Sequence, residues 1–229
     1  MRALRILLIT AVILGGLFVA VDRLAVNFAE DEAAQKVQAA QGLAGTTEVS
    51  IKGFPFLTQV LGKELDQVDI RLSGVDAVAG GRKVRLSEMN AALRDVRLED
   101  NFSRAVAATA SGTARVSYAD LGRASGEDVT VGFGGNGKVK VTGTAEVLGK
   151  SITRSVLSTV SLVEGDTIRV RADSVPGEGI PGLEDMVRER TDFDRQVGGM
   201  PAGLRLTKVE ALPDGIAITV GGQNVALAG

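Results

Sequence analysis

The residue types that could do chemistry in this chain are few, and each sits in a context that redirects it. Gly132, Gly134 and Gly137 spell the G-x-G-x-x-G of a dinucleotide-binding turn. Such a turn must open a helix whose first N–H groups hold a pyrophosphate, whereas Lys138-Val139-Lys140-Val141 alternates as a strand. With Asn136-Gly137 between two alternating runs, the segment reads as a hairpin. Acid pairs occur at Glu127-Asp128 and Glu184-Asp185, with a looser set at Asp192 and Asp194. Neighbouring acids on a helix diverge, and Glu184-Asp185 near a helix start complements its dipole. Glycosidase chemistry needs two acids facing each other across a cleft, which a sequence cannot show. The basic cluster Arg82, Lys83 and Arg85 reads as a solvated face, one that could meet anionic headgroups at the rim of a lipid groove.

The absences exclude more than the motifs include. The chain has no His and no Cys, which removes the common zinc sites, cysteine nucleophiles, Ser-His-Asp triads and disulfides. No catalytic residue, metal ligand or cofactor site is expected. The net charge of −2 offers no basic domain to neutralise phosphates, so nucleic acid is not an expected partner. A length of 229 residues at 45% hydrophobic content is ample for a sizeable core.

What stands out instead is apolar. Thr47, Val49 and Ile51 alternate like a half-buried strand, and the chain then runs into Gly53, Phe54, Pro55, Phe56, Leu57, Val60 and Leu61. Aromatic residues are only 3% of the chain, so two phenylalanines flanking one proline concentrate scarce volume where the fixed proline φ ends one element and starts the next. This corner either plugs the core or lines the mouth of a site for a greasy ligand. On the second reading the lipid-binding candidates are Phe54, Phe56, Leu57, Val60 and Leu61, joined by Met186 and Phe193 from a helix expected over 181 to 197.

The elements that must position this corner follow from charge and periodicity. Ile6 to Val21 is uncharged and almost wholly apolar, with Arg2 and Arg5 before it and Asp22, Arg23, Glu30, Asp31 and Glu32 after it. That order is an export signal with the amino terminus kept in the cytoplasm. Small-x-small pairs for cleavage are poor, which favours an uncleaved anchor. Leu24, Phe28, Ala29, Ala33, Val37 and Ala40 then recur at helical spacing, and Gly42 is a plausible stop.

Alternating runs return at Val68 to Leu72, Val84 with Leu86, Val96 with Leu98, Val129 to Phe133, Val139 with Val141, Ile168 with Val170, Leu204 with Leu206, Ile216 to Val220 and Val225 with Leu227. Turns are expected at Gly80-Gly81, Gly134 to Gly137, Glu164 to Asp166 and Pro213 to Gly215. Ile152 to Val163 fits helix or strand equally, and Pro181 to Val197 reads as helix. The whole is an α+β chain: residues 1–23 form a signal or anchor, and residues 24–229 a single extracytoplasmic domain. In that domain a long, curved, mostly antiparallel sheet cups amphipathic helices.

Taken together, several features resemble the LmeA-like phospholipid-binding proteins of actinobacteria. These are the export segment, the helix ending near Gly42-Leu43, the Gly53-Phe54-Pro55-Phe56-Leu57-Thr58-Gln59 block, the Val68-Asp69-Ile70 strand, and the late Met200-Pro201-Ala202-Gly203-Leu204-Arg205-Leu206 block before a Gly215 hairpin. The resemblance implies a tubular lipid-binding type of fold with an elongated groove. It further implies an extracytoplasmic protein that binds phospholipid or glycolipid and supports lipomannan elongation in mycobacterial members. It supplies no headgroup-binding residues. A closed-core scaffolding protein of the envelope and a carboxylate-dependent glycan hydrolase are the rival readings. The orientation is directly testable: a reporter fused after Gly229 is expected to be active only in its export-dependent form, and activity of a cytoplasm-only reporter there would reverse the assignment.

Overall fold

A computed structural model of the chain describes residues 2–41, 45–79, 82–125, 129–147, 150–174, 188, 191–198 and 200–227. Its first element is one unbroken helix, α1 (Arg2–Gln41). No glycine or proline lies between Gly16 and Gly42, so the charged pair Asp22-Arg23 interrupts hydropathy without interrupting the helix. The apolar segment stands fully exposed. Beyond it, Asp22 and Val26 are buried, and Ala25, Ala29, Glu30, Ala33 and Val37 are half-buried on the same side. Leu24 and Phe28, expected on that stripe, face away from the domain at 70% and 73% exposure. Small side chains at 25, 29 and 33 let α1 approach the sheet closely; bulky ones would hold it off.

α1 packs on a six-stranded antiparallel sheet ordered β1-β2-β3-β4-β11-β10. Its strands are β1 (Thr46–Lys52), β2 (Glu64–Ala79), β3 (Arg82–Glu99), β4 (Arg104–Ser117), β10 (Leu204–Leu212) and β11 (Gly215–Leu227). β1 is an edge, and α1 covers it: the Ile51 N–H donates to Glu30 at 2.6 Å, and Gln38 donates to the Gly45 carbonyl at 3.1 Å. Between β1 and β2, Phe54-Pro55 is a cis peptide and α2 (Phe56–Gly62) makes two turns.

A second antiparallel sheet, ordered β5-β6-β7-β8-β9, consists of β5 (Val129–Gly135), β6 (Lys138–Val147), β7 (Lys150–Val163), β8 (Thr167–Ser174) and β9 (Phe193–Gln196). It follows α3 (Tyr118–Ser125) and meets the first sheet where the Leu206 N–H of β10 donates to the Gly165 carbonyl at 2.9 Å. The described strands thus form two sheets where one continuous sheet was expected, and the fold is α+β with antiparallel sheets as anticipated. The G-x-G-x-x-G letters fall in the β5–β6 hairpin, with Asn136 and Gly137 at φ 50° and 70°. The ambiguous 152 to 163 stretch is β7.

The helix expected over 181 to 197 is corrected in its last part. Arg188 and Thr191 are helical, but Phe193 to Gln196 is strand β9, with Phe193 opposite Val170. Edge pairing with β8 prevails over a loose apolar spacing because Arg169 grips Asp194 with two hydrogen bonds, 2.9 and 2.8 Å, and Arg171 adds a third contact at 3.0 Å. Gly42, Gly80-Gly81, Glu127-Asp128, Glu184-Asp185 and Met186 lie outside the described residues.

The long strands break phase along one line. In β2, β3, β4 and β11 the pairing passes over Asp66, Asp95, Ala108 and Asn224, which lie side by side across four strands. Asp95 and Asn224 have φ of 49° and 51°. Buried positions step by three there, Leu65 to Val68, Val96 to Leu93 and Ala107 to Ala110, so the apolar face is kept across the crease.

The Asp194 clasp makes a pH-dependent contribution. Hydrogen bonds from Arg169 hold the Asp194 carboxyl below its ordinary range. A carboxylate with a depressed folded pKa stabilises above its unfolded value of about 3.9, and that contribution is lost as pH falls through the lower folded value. The melting temperature of the chain is therefore expected to exceed that of Asp194→Asn at neutral pH and to converge with it in strong acid. Equal melting at neutral pH would remove the clasp from the account of β9.

Candidate functional site

Directly opposed residues of an antiparallel sheet share a face, so the registers define what each face presents. One row across all six strands reads Thr47, Leu72, Met89, Ala114, Ile218, Val209. The next reads Val49, Ile70, Ala91, Gly112, Val220, Leu206, and the third Ile51, Val68, Leu93, Ala110, Gly222, Leu204. Past the crease come Leu65, Val96, Ala107 and Val225. The opposite face of the same sheet reads Glu48, Arg71, Asn90, Thr113, Thr219, Lys208, with Arg71 donating to Asn90 at 3.1 Å. One side is therefore dry from edge to edge and the other wet.

The dry side is low in the middle. β4 contributes Ala105, Ala107, Ala110, Gly112 and Ala114 in succession, with Ala91 and Gly222 beside it, while the other inward positions of β2, β3, β10 and β11 in these rows carry longer side chains. Gly112 is required by packing: a Cβ there would meet the Asn90 carbonyl at 2.9 Å and Val220 Cγ2 at 3.2 Å. Judged by side-chain size, this makes a shallow trough along β4 that ends at the buried Val116.

Burial grades along this trough. At the crease end, Val26 of α1 and Phe56 of α2 cluster with Leu65, Val68, Leu93, Val96, Ala107, Ala110 and Val225. Away from α1 and α2, Met89, Ala91, Gly112, Ala114, Ile218 and Val220 are half-buried, while Leu72, Leu206 and Val116 of the same face are buried. Thr47, on the edge strand of the first row, has an enclosed hydroxyl with no hydrogen-bond partner among the described residues. An apolar surface of this kind is what soluble domains rarely leave without a ligand or partner.

The Gly-Phe-Pro-Phe-Leu corner sits at the closed end and does not form one lining. Phe56 is core, at 6% exposure, and Leu57 and Val60 pack against that core. Phe54 and Leu61 point outward, at 57% and 84%. The corner is fixed by α1: the Leu57 N–H donates to Asp22 at 2.8 Å, Asp22 is itself gripped by Arg23 at 2.8 Å, and the Arg23 guanidinium lies 5.2 Å from the Phe54 ring centroid. Gly53 takes φ 98°, and a Cβ there would collide with the Asp66 carboxylate and Gln59 amide. Phe193 lies on β9, far along the chain from this corner, and Met186 is outside the described residues.

The other candidates resolve into structure. Asp192 accepts the Ala172 N–H at 2.7 Å, and Asp194 is held by Arg169, so neither faces a second free acid. Of the basic cluster, Arg85 is exposed on β3; the side chains of Arg82 and Lys83 are outside the described set. A cleft of about 450 Å³ opens between α3 and β5, lined by Tyr118, Ala119, Gly122, Arg123, Val129 and Val131. Its one charge is compensated, because Arg123 pairs with Asp120 at 2.6 Å. Among the described residues no group of three or more acids is placed to hold a metal ion. Sequence reasoning overlooked β4; the alternation of Ala105, Ala107, Ala110, Gly112 and Ala114 with Ser111, Thr113 and Arg115 was its signal, muted because alanine and glycine are weak strand formers.

No curated protein and no solved structure matches this chain. A family model described as LmeA-like phospholipid-binding matches residues 20–221, a stretch that runs from the end of the apolar run of α1 through the Gly-Phe-Pro-Phe-Leu corner into β11. By that match the chain belongs to the LmeA-like phospholipid-binding family.

Proposed function

We propose that the chain is a non-catalytic, membrane-tethered protein lying outside the cytoplasm that holds the acyl chains of a phospholipid or glycolipid against the inner face of the six-stranded sheet. The observation that carries this reading is the apolar face running over six strands, low along β4 and only half-covered at Met89, Ala91, Ala114, Ile218 and Val220. The family's lipid-binding role supports it. Residues 1–23 serve as the anchor or signal and residues 24–229 as the lipid-binding domain. Arg2 and Arg5 ahead of the apolar run orient the chain.

The mechanism is partition. Each methylene leaving water for the trough gains about 0.8 kcal/mol, while the headgroup stays wet at the rim. Phe56, Leu57 and Val60 form the floor of the closed end, where chain tips stop. The Thr47 hydroxyl, enclosed at the edge of this face, has no hydrogen-bond partner among the described residues. The role implied for mycobacterial members of the family, support of lipomannan elongation, extends to this chain as the holding or handing-on of one lipid. Neither His nor Cys is present to support the commonest hydrolytic chemistries.

Two experiments test this. Ala114→Trp fills the trough from β4, whereas Thr113→Trp places the same ring on the wet face one residue away. Mass spectrometry of lipid extracted from the purified protein is expected to find bound lipid reduced in the first and unchanged in the second; equal lipid in both would place the lipid elsewhere. Phe56→Ala is expected to cost about 3–5 kcal/mol of stability as a core truncation, and Phe54→Ala within about 1 kcal/mol as the loss of an exposed cation–π contact. Thermal melting in detergent decides, and comparable losses would overturn the division of labour within the corner.

A further inference from the structure

We infer that the α2 end of the domain docks into the interfacial layer of the bilayer that α1 enters, with Phe54 and Leu61 as the inserting side chains. This rests on the tethered reading above and assigns a surface that reading does not use. The first support is level. Asp22 is one residue past Val21, the last of the apolar run, and it holds the Leu57 N–H at 2.8 Å. The start of α2 is thus fixed about 1.5 Å of helix rise beyond the apolar segment. The headgroup layer on each side of a bilayer is about 5–8 Å deep, so α2 begins inside it.

The second support is length. The uncharged run from Ile6 to Val21 rises about 24 Å as a helix, short of the roughly 30 Å of hydrocarbon in a typical bilayer. A short span is accommodated by thinning the bilayer or by drawing its flanks inward. The flank here is Asp22 and Arg23 with α2 attached, so the mismatch pulls α2 toward lipid.

The third support is what that flank displays. Phe54, just ahead of α2, and Leu61, in its last turn, are 57% and 84% exposed. Leu24 and Phe28 continue the apolar stripe of Leu17 and Val21 along the outward side of α1, at 70% and 73%. Four large apolar side chains, two of them aromatic and one beneath an arginine, are exposed at the membrane exit; outside α1 and the α2 corner the described residues expose Phe102 at 53% and Phe133 and Leu157 at 38% each. Aromatic rings and arginine suit the headgroup layer. The nearby charges balance, Lys52 and Lys63 against Glu64 and Asp66. Docking is therefore apolar and independent of anionic lipid.

The chain has no Trp, so the F54W and L61W variants each carry a single reporter, and F133W, on β5 of the second sheet, is the control. Full-length variants go into nanodiscs of phosphatidylcholine alone or with phosphatidylglycerol. Emission of F54W and L61W is expected to be blue-shifted, quenched by lipid spin-labelled near the headgroup, and at least about three-fold less sensitive to iodide than that of F133W, equally in both lipid mixtures. Either reporter as open to iodide as F133W overturns the docking. Lipid carried by each detergent-purified variant is counted beforehand. A chain that carries lipid with both reporters in water overturns docking alone, and shielded reporters on a chain without bound lipid uphold docking and count against the trough.

Discussion

A carboxylate one residue past the apolar run of α1 receives the Leu57 N–H at 2.8 Å and the Arg23 guanidinium at 2.8 Å, and is fully enclosed in doing so. That contact fixes the height and rotation of the domain on its helix. Val26 enters the core one turn further along, beside Phe56, and Glu30 takes the Ile51 N–H one turn beyond that. Each step uses the same helical face, so once Asp22 is seated the edge strand β1 is covered and one end of the trough is closed. An enclosed carboxylate without these donors would be costly, which ties the helix exit and the α2 corner into a single cooperative unit.

The trough follows from a different constraint. A sheet that is apolar on every row would ordinarily be sealed by a layer of helices, and burial would then be uniform. Here the inner positions away from α1 and α2 are mostly half-buried, with Leu72, Val116 and Leu206 buried among them, and the inward side chains of β4 shrink to alanine and glycine from Ala105 to Ala114. Small residues in a covered core would leave voids, each losing contact energy. On a half-covered face they instead leave depth for something else to fill. The crease at Asp66, Asp95, Ala108 and Asn224 serves this arrangement by letting four strands shift phase together, so no polar residue is turned into the apolar side.

That crease also explains where the chain was legible and where it was not. The alternation at Val84-Leu86 and at Val96-Leu98 was readable, but as two strands; both belong to β3, and the phase break at Asp95 hides their continuity. Ile216 to Val220 and Val225-Leu227 are likewise one strand, β11, divided by Asn224. The hairpins were plain because Asn136-Gly137 and Glu164-Gly165 supply the positive φ that such turns require. Phe193 was not, since edge pairing with β8 is a tertiary fact that no local spacing encodes. The aromatic corner was conspicuous by composition, yet its division into inward Phe56 and outward Phe54 depends on Asp22, more than thirty residues earlier.

Placed together, these constraints give the Gly-Phe-Pro-Phe-Leu motif a reason for its order. Gly53 takes a conformation that brings the chain against Asp66 and Gln59, and Pro55 then starts a helix too short to be stable alone. The two phenylalanines flank that proline on opposite sides: one completes the core at the closed end of the trough, and the other meets Arg23 at the level where α1 leaves its apolar run. The proposed lipid site has two requirements, a fixed height relative to the apolar run of α1 and closure on one side. Both requirements are met by the same five residues because the carboxylate that sets the height also caps the helix that makes the closure.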